Sequence, residues 1–459
     1  MRSLPLLLAV VAATVACDGA PSAPTPPEPT IDARLGGAMT VFDASSRAFG
    51  QPAPTLSTDR LTLFESGDGV FDATFVPAPA PVNAGLGPRF DNVSCGGCHV
   101  GDGRGRPPAP GEAFNSMLFR VSVPGIDAHG GPAPVPGVGT QLELRAVVGL
   151  TPIATVAIAY HDTAGTFSDG TPYALAVPTY TVVSQAGPLP SSMMLSPRVA
   201  PPNFGLGLLE AVPEATIVSL ASAPDATAAG VAGVAGHPNY VWDPVAQGTA
   251  LGRFGLKANT ATLLVQSAGA FNADMGVTSS VFPAEPCQDP IPACAAHPPD
   301  LSGAQLGAVA AYVHTLAVPA RRNIDAADVR RGEQLFVSAG CALCHVVTLQ
   351  TGSVANAPEA SNQTIHPFTD LLLHDMGPGL ADNRPDFLAT GREWRTPPLW
   401  GLGLTGVVNG HTTFLHDGRA RSVMEAILWH GGQGTAARES VRHLSASDRE
   451  ALLAFLNSL

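Results

Sequence analysis

Apolar residues recur at helical spacing in two stretches that resemble each other, SGAQLGAVAAYVHTL (302–316) and SASDREALLAFLNSL (445–459). Each opens on a Ser suited to cap a helix N-terminus, and each predicts a helix. Ala308 matches Ala451, Ala311 matches Ala454 and Leu316 matches Leu459. The amphipathic pattern in DVRRGEQLFVSAG predicts another helix, ending near Gly340. Two more are expected, near 254–271 (FGLKANTATLLVQSAGAF) and in 416–433 (HDGRARSVMEAILWHGGQ). Each of those follows a PPxxGLGL stretch, APPNFGLGL (200–208) or TPPLWGLGL (396–404). Residues 117–185 read differently: MLFRVSVPG, QLELRAVVGLTPIATVAIAYH and YALAVPTYTVV are rich in β-branched residues between turn formers. They predict a small antiparallel insertion. At the N-terminus one Arg precedes an apolar run too short to span a bilayer, then small residues lead to Cys17. That is the pattern of a secretory signal peptide over 1–17. No later segment is apolar for long enough to cross a membrane.

The chain carries Cys-x-x-Cys-His twice, as SCGGCH (94–99) and GCALCH (340–345). Two thiols three residues apart on a first helical turn can reach both vinyl groups of one porphyrin. The adjacent His then points at the iron from the proximal side, which is c-type haem attachment. Zinc is the competing reading of a CxxC pair. It would draw the two pairs into one tetrahedral site, whereas each pair here brings its own His. Two covalent haem c groups are therefore expected, one on Cys95, Cys98 and His99, the other on Cys341, Cys344 and His345.

In both halves the order is CxxCH, PPxxGLGL, Gly turn with helix, closing helix. That order predicts a mainly α chain of two cytochrome c-like haem domains in tandem, 36–320 and 321–459, with a break near PARRNID (319–325). The first would carry the β-rich insertion and long loops. Whether the iron's second axial position is filled decides what each haem can do: a filled site shuttles electrons and an open one binds small oxidants. Matching the post-PPxxGLGL helices through Gly255 and Gly418 puts His430 of ILWHGG opposite Ser267 of LVQSAG. A Ser is no useful iron ligand, so a closed His345/His430 site and a more open His99 site are expected. Met376 in LLLHDMG is the rival sixth ligand, and His430 could instead be a polar helix end. His374, His411 and His416 are expected as supporting or surface groups. Gln266 and Asp274 fall where groups facing the open site are expected. A carboxylate there could move a proton between the two oxygens of a peroxide, or Asp274 could only cap the turn ending at Gly276.

A net charge of -13 with 24 Lys and Arg excludes nucleic acid as a partner, since no phosphate-neutralising patch is available. The 49 Gly and 44 Pro among 459 residues point to a loop-rich globular protein. Cys17 after Thr-Val-Ala resembles a lipoprotein cleavage site, with ordinary cleavage nearby as the alternative. With lipidation the protein would be exported to the periplasm or outer surface, held to the membrane through a lipid on Cys17 alone. Residues 18–35 would be a Pro-rich tether. Cys287 and Cys294 in CQDPIPAC suggest a local structural disulfide, with a redox-active pair as the other reading.

Taken together, SCGGCH, GLGLLEAVPE, GRFGLKAN, AFNADMGVT, LLLHDMGPGL, EWRTPPLWGLG and FLHDGRARSVMEAILWHGG resemble the di-haem oxidoreductase family once described as thiol oxidoreductases. That family is related to the bacterial di-haem cytochrome c peroxidases and the MauG-type enzymes, and the resemblance covers nearly the whole chain after the tether. It implies a peroxide-reactive N-terminal haem and a C-terminal haem that passes electrons to it. His430 stands where those relatives carry Met or Tyr, Gln266 matches the peroxidases' distal Gln, and Asp274 is similar to their distal Glu. Leu256 falls where they place a Trp between the haems, so no indole relay exists at that position; Trp394 and Trp400 are the substitutes left. The resemblance also allows one calcium ion between the domains, with no ligands mapped. Its partners would be a small electron-donor or acceptor protein, a cytochrome or cupredoxin, with peroxide or a thiol or protein as substrate. The alternative is a non-catalytic di-haem electron-transfer cytochrome, which needs a strong second ligand at the His99 haem, drawn from the 117–185 insertion.

Overall fold

The computed structural model describes residues 32–221, 234–287, 294, 297–355 and 357–459. The signal peptide, Cys17 and most of the tether lie outside the described residues.

One arrangement occurs twice. Helix α1 (Thr58–Phe71) is capped by Ser57, and α2 (Leu263–Met275) is capped by Thr262. Helix α3 (Gly303–Thr315) starts on Ser302 in a capping box with Gln305 and lies across α1. In the second half α4 (Ala327–Ser338) is crossed by α6 (Ala446–Ser458), capped by Ser445, while the short α5 (Val423–Leu428) is capped by Ser422. Both crossings run through a glycine. A Cβ on Gly67 would lie 2.1 Å from the carbonyl oxygen of Ala308, and one on Gly332 would lie 2.0 Å from that of Ala451. Only a residue without a side chain lets the backbones approach this far. The crossings in turn set Phe71 at 6.2 Å from the His99 ring and Phe336 at 6.3 Å from the His345 ring. Within PPxxGLGL, Gly205 and Gly401 share φ 72° and ψ 0°.

The geometry corrects the register of the repeat before α2 and α5. The left-handed residue Gly255 (φ 78°) corresponds to Leu415 (φ 70°), and Ala258 (φ 49°) to Gly418 (φ 74°). The bridges Phe254–Thr260 and Phe414–Ala420 and the caps Thr262 and Ser422 follow the same register. The Gly255–Gly418 match is three residues off, because Leu415 and Ala258 hold left-handed turns that glycine identity alone would not reveal. His430 therefore falls opposite Ala270 and not Ser267.

The expected mainly α class is also corrected. Helices hold 29% of the residues and strands 20%, and the described residues form seven two-stranded sheets. Helical periodicity is strong and local, so it dominates a reading of the sequence. Ribbons two or three residues long, set in Gly- and Pro-rich loops, leave no periodic trace. The insertion is antiparallel and runs past its expected end: β1 (Met117–Ser122) pairs with β4 (Met194–Val199), enclosing the long hairpin β2 (Ala154–Thr166) and β3 (Pro172–Ser184). That hairpin is an arm laid on the second half. Asp162 pairs with Arg421 at 3.0 Å, Asp169 with Arg449 at 2.8 Å, and the Tyr180 hydroxyl donates to Asp417 at 3.0 Å. The Ala176 amide donates to Glu425, which is buried, at 2.6 Å. One apolar core runs through both halves, and a smaller one lies inside the insertion.

Candidate functional site

A cavity of about 1180 Å³ is lined by both CxxCH motifs together with residues from α2, α5 and the insertion. It exceeds the roughly 300–1,000 Å³ of an ordinary small-molecule pocket. Cys95 to Cys98 form one helical turn capped by Ser94, and Cys341 begins a tight turn after the left-handed Gly340. Each motif thus presents two thiols and a following His from a rigid turn.

The His rings are oriented by backbone carbonyls. His99 Nδ1 lies 2.7 Å from the Pro201 oxygen and His345 Nδ1 lies 2.9 Å from the Phe368 oxygen. A ring that donates through Nδ1 keeps Nε2 as its lone-pair nitrogen, the state in which imidazole ligates a metal. Burial pulls both rings down to about 4, so both are neutral at physiological pH. His430 is held in the same way, its Nδ1 2.8 Å from the Ala426 oxygen. Burial lowers its pKa too, its charge would further depress His345, and both rings line the cavity. Met376 does not stand apart from His430: a Cβ on Gly434 would meet His430 Cδ2 at 3.2 Å and Met376 Cε at 3.3 Å. Both side chains border Gly434.

The cysteine surroundings differ. Burial raises the Cys98 thiol to about 12, and its Sγ lies 3.0 Å from the Asn115 oxygen. Cys344 Sγ lies 3.6 Å from His374 Nδ1, while His374 Nε2 reaches Asp370 at 2.8 Å. His374 and His416, expected as supporting or surface groups, are both buried.

Around the first motif, Gln266 and Asp274 both line the cavity but do different things. Gln266 sits in the first turn of α2; its backbone N–H donates to the Thr262 carbonyl, and its side-chain amide makes no hydrogen bond among the described residues. Asp274, eight residues on, lies roughly 12 Å further along the axis. Its carboxylate accepts from Gln141 at 2.9 Å, with Arg120 at 3.8 Å. The same Gln141 amide donates to Asp91 at 2.6 Å. Burial, then the neighbouring Asp274, raises Asp91 to about 7; burial also raises Asp274 and lifts Glu143 to about 8. This carboxylate cluster borders the Cys95/Cys98 side, since both acids Asp91 and Asp274 help raise Cys98.

Several side-chain pairings carried no sequence signal. Trp394 is buried, with its ring stacked on His416 at 3.9 Å and 13° and the Lys257 ammonium 4.5 Å from its centroid. Strand β5 (Leu373–Asp375) pairs His374 with Trp394 on β6 (Glu393–Arg395). His129, an exposed residue of the insertion, stacks on Trp242 at 4.3 Å, and both line the cavity. Only contacts between segments far apart in the chain bring the members of these pairs together.

Cys287 and Cys294 form a disulfide. Among the described residues, the groups of three or more metal-binding side chains are Glu285/Cys287/Cys294 and Cys344/Asp370/His374. Neither is an all-oxygen cage of the kind calcium takes.

These features meet a family assignment. A family model described as "Di-haem oxidoreductase, putative peroxidase" matches residues 30–459. The chain belongs to that family. Among solved structures, hydrazine synthase from Kuenenia stuttgartiensis is similar at 20% identity over 37% of this chain and 59% of that one, with a TM-score of 0.24. The match thus spans little more than half of that relative. No curated protein matches. The residues present fit a di-haem protein: the large shared cavity meets two turns, each offering two thiols and an imidazole with Nε2 free.

Proposed function

We propose that this chain is an exported c-type di-haem oxidoreductase of peroxidase type, with an oxidant-binding site at His99 and an electron-relaying site at His345 and His430. Cys95/Cys98 and Cys341/Cys344 would hold the two haems covalently. The observation that carries the reading is the asymmetry of α2 and α5: one presents Ala270 where the other leads into His430, with a free Nε2. Bound haem would supply the redox chemistry. The protein's part would be to orient the His99 and His345 rings, offer the His430 imidazole as a further ligand at the second site, and leave the first site to a small oxidant. Gln266, whose amide is uncommitted, would donate a hydrogen bond to that oxidant. Asp274, sharing Gln141 with Asp91, would hold a proton beside the site and deliver it as oxygen–oxygen cleavage proceeds.

A connected route supports transfer between the sites. His99 Nδ1 bonds the Pro201 carbonyl, and two residues earlier the Val199 amide donates to the His416 carbonyl at 2.8 Å. The His416 ring stacks on Trp394, Trp394 pairs with His374 across β5–β6, and His374 touches Cys344. Trp394 thereby takes the relay role that Leu256 denies to its own position. The two haem units would be 36–320 and 321–459, tethered by a lipidated Cys17, with a small cytochrome or cupredoxin as electron partner. Turnover tests this: haem-loaded protein given peroxide and a reduced donor is expected to oxidise the donor in proportion to peroxide added, and no oxidation above that of the haem-free chain rejects it.

One observation favours a second reading, a purely electron-transferring cytochrome. His129 reaches the cavity wall from the insertion, the region from which a second ligand to the His99 haem would have to come.

A further inference from the structure

Five arginines line the cavity: Arg104, Arg120, Arg198, Arg395 and Arg438. Three have a carboxylate partner. Arg120 faces Asp274 at 3.8 Å, Arg198 faces Asp386 at 3.1 Å and Arg438 faces Glu439 at 2.9 Å. Arg104 and Arg395 have none among the described residues. Arg104 Nε donates to the Thr413 carbonyl at 2.9 Å and its Nη2 to that of Leu415. Arg395, only 9% exposed, donates from Nε to the Gly255 carbonyl at 3.0 Å and from Nη1 to that of Thr396 at 3.2 Å. The nearest acids are committed elsewhere, Asp417 to Arg419 at 2.8 Å and Asp370 to His374 at 2.8 Å. Burial pulls both guanidinium groups down to about 10, which records how poorly the charge is compensated.

A buried cation held only by neutral carbonyls is costly, and such charges are retained where an anion completes them. The carbonyls fix each guanidinium plane and, among the described residues, leave Arg104 Nη1 and Arg395 Nη2 without a hydrogen bond, on two side chains that line the cavity. The anion must therefore come from the cavity's occupant. A porphyrin held to the cysteines by its vinyl side presents its carboxylates from the other side of the ring. We propose that Arg104 and Arg395 receive haem propionates, Arg104 near the His99 site, five residues after that ligand, and Arg395 at the seam between the two halves, where its strand pairs with the His374 strand and its side chain grips the Gly255 carbonyl. The inference rests on haem occupying the cavity, as family membership implies, and not on peroxide turnover. Each arginine then holds its propionate ionised and keeps the attached iron easier to reduce.

The test uses the haem-loaded full chain and reads potentials, not activity. In spectroelectrochemical titration, Arg104→Gln and Arg395→Gln are each expected to lower the midpoint of a haem, with both haems still covalently bound, while Arg104→Lys and Arg395→Lys retain most of the wild-type value. Unchanged midpoints in both Gln variants overturn the proposal. Should a variant fail to fold, resonance Raman of the unmodified protein decides: propionate bending bands at hydrogen-bonded positions are expected, and bands of water-exposed propionates overturn it. Either result leaves the peroxidase reading to its own turnover test.

Discussion

The two CxxCH sites share a scaffold down to the glycine that lets one helix cross another, and they differ in what the following helix presents. Gly67 and Gly332, Phe71 and Phe336, and the carbonyl-held rings of His99 and His345 are counterparts in place and geometry. Past the caps Thr262 and Ser422 the helices diverge: Ala270 offers nothing to a metal, and His430 offers an oriented imidazole. The surroundings diverge as well, with two carboxylates bridged by the Gln141 amide beside Cys98 and a His374–Asp370 pair beside Cys344. The repeat keeps the geometry around each CxxCH motif and changes single positions beyond it.

The shared scaffold is the easiest part to break. Gly332→Ala drives a Cβ into the Ala451 carbonyl and is expected to cost about 3 kcal/mol, the upper end of overpacking penalties, read as a fall in thermal midpoint. Gly67→Ala should do the same in the first half; an unchanged midpoint for both would mean the crossings relax freely. Next in size, His430→Ala is expected to convert the second haem from low to high spin and leave the first unaltered. Retention of the low-spin signal would hand the ligand role to the adjacent Met376. Trp394→Phe keeps an aromatic ring on His416 but removes the rest of the indole and leaves a gap in the route between sites, so electron equilibration between the haems should slow severalfold in flash photolysis, whereas Trp400→Phe, outside the route, should not slow it.

The smallest effect concerns pH. Asp91 ordinarily titrates near 3.8 and is raised to about 7 in the folded chain, so the folded state favours its protonated form. Its stabilising contribution is complete below 3.8 and is lost as pH rises toward 7 and beyond. Glu143, raised from 4.5 to about 8, acts in the same direction. The thermal midpoint should therefore decline across that window, and Asp91→Asn should flatten the decline; an equal slope in the variant removes Asp91 as its source.

What the sequence made legible was local. The CxxCH motifs, the Ser-capped helices ending at residues 315 and 458, the disulfide of CQDPIPAC and the position of His430 after its helix are all read within a few neighbours. The mainly α expectation failed because two-residue strands such as Leu349–Gln350 become strands only through a distant partner. The repeat register failed for a related reason, since Leu415 holds a turn that glycine holds in the other copy. Asp91 with Gln141, Trp394 with His416, and the two arginines without acids depend on contacts between segments far apart in the chain, which no spacing rule encodes.

The most direct test of the asymmetry is a low-temperature electron paramagnetic resonance spectrum of the ferric protein before and after hydrogen peroxide. One high-spin and one low-spin haem, with the high-spin signal consumed by peroxide, is the predicted result. Two low-spin haems untouched by peroxide would contradict the account, give the His99 site a second ligand such as His129, and make the protein an electron-transfer cytochrome.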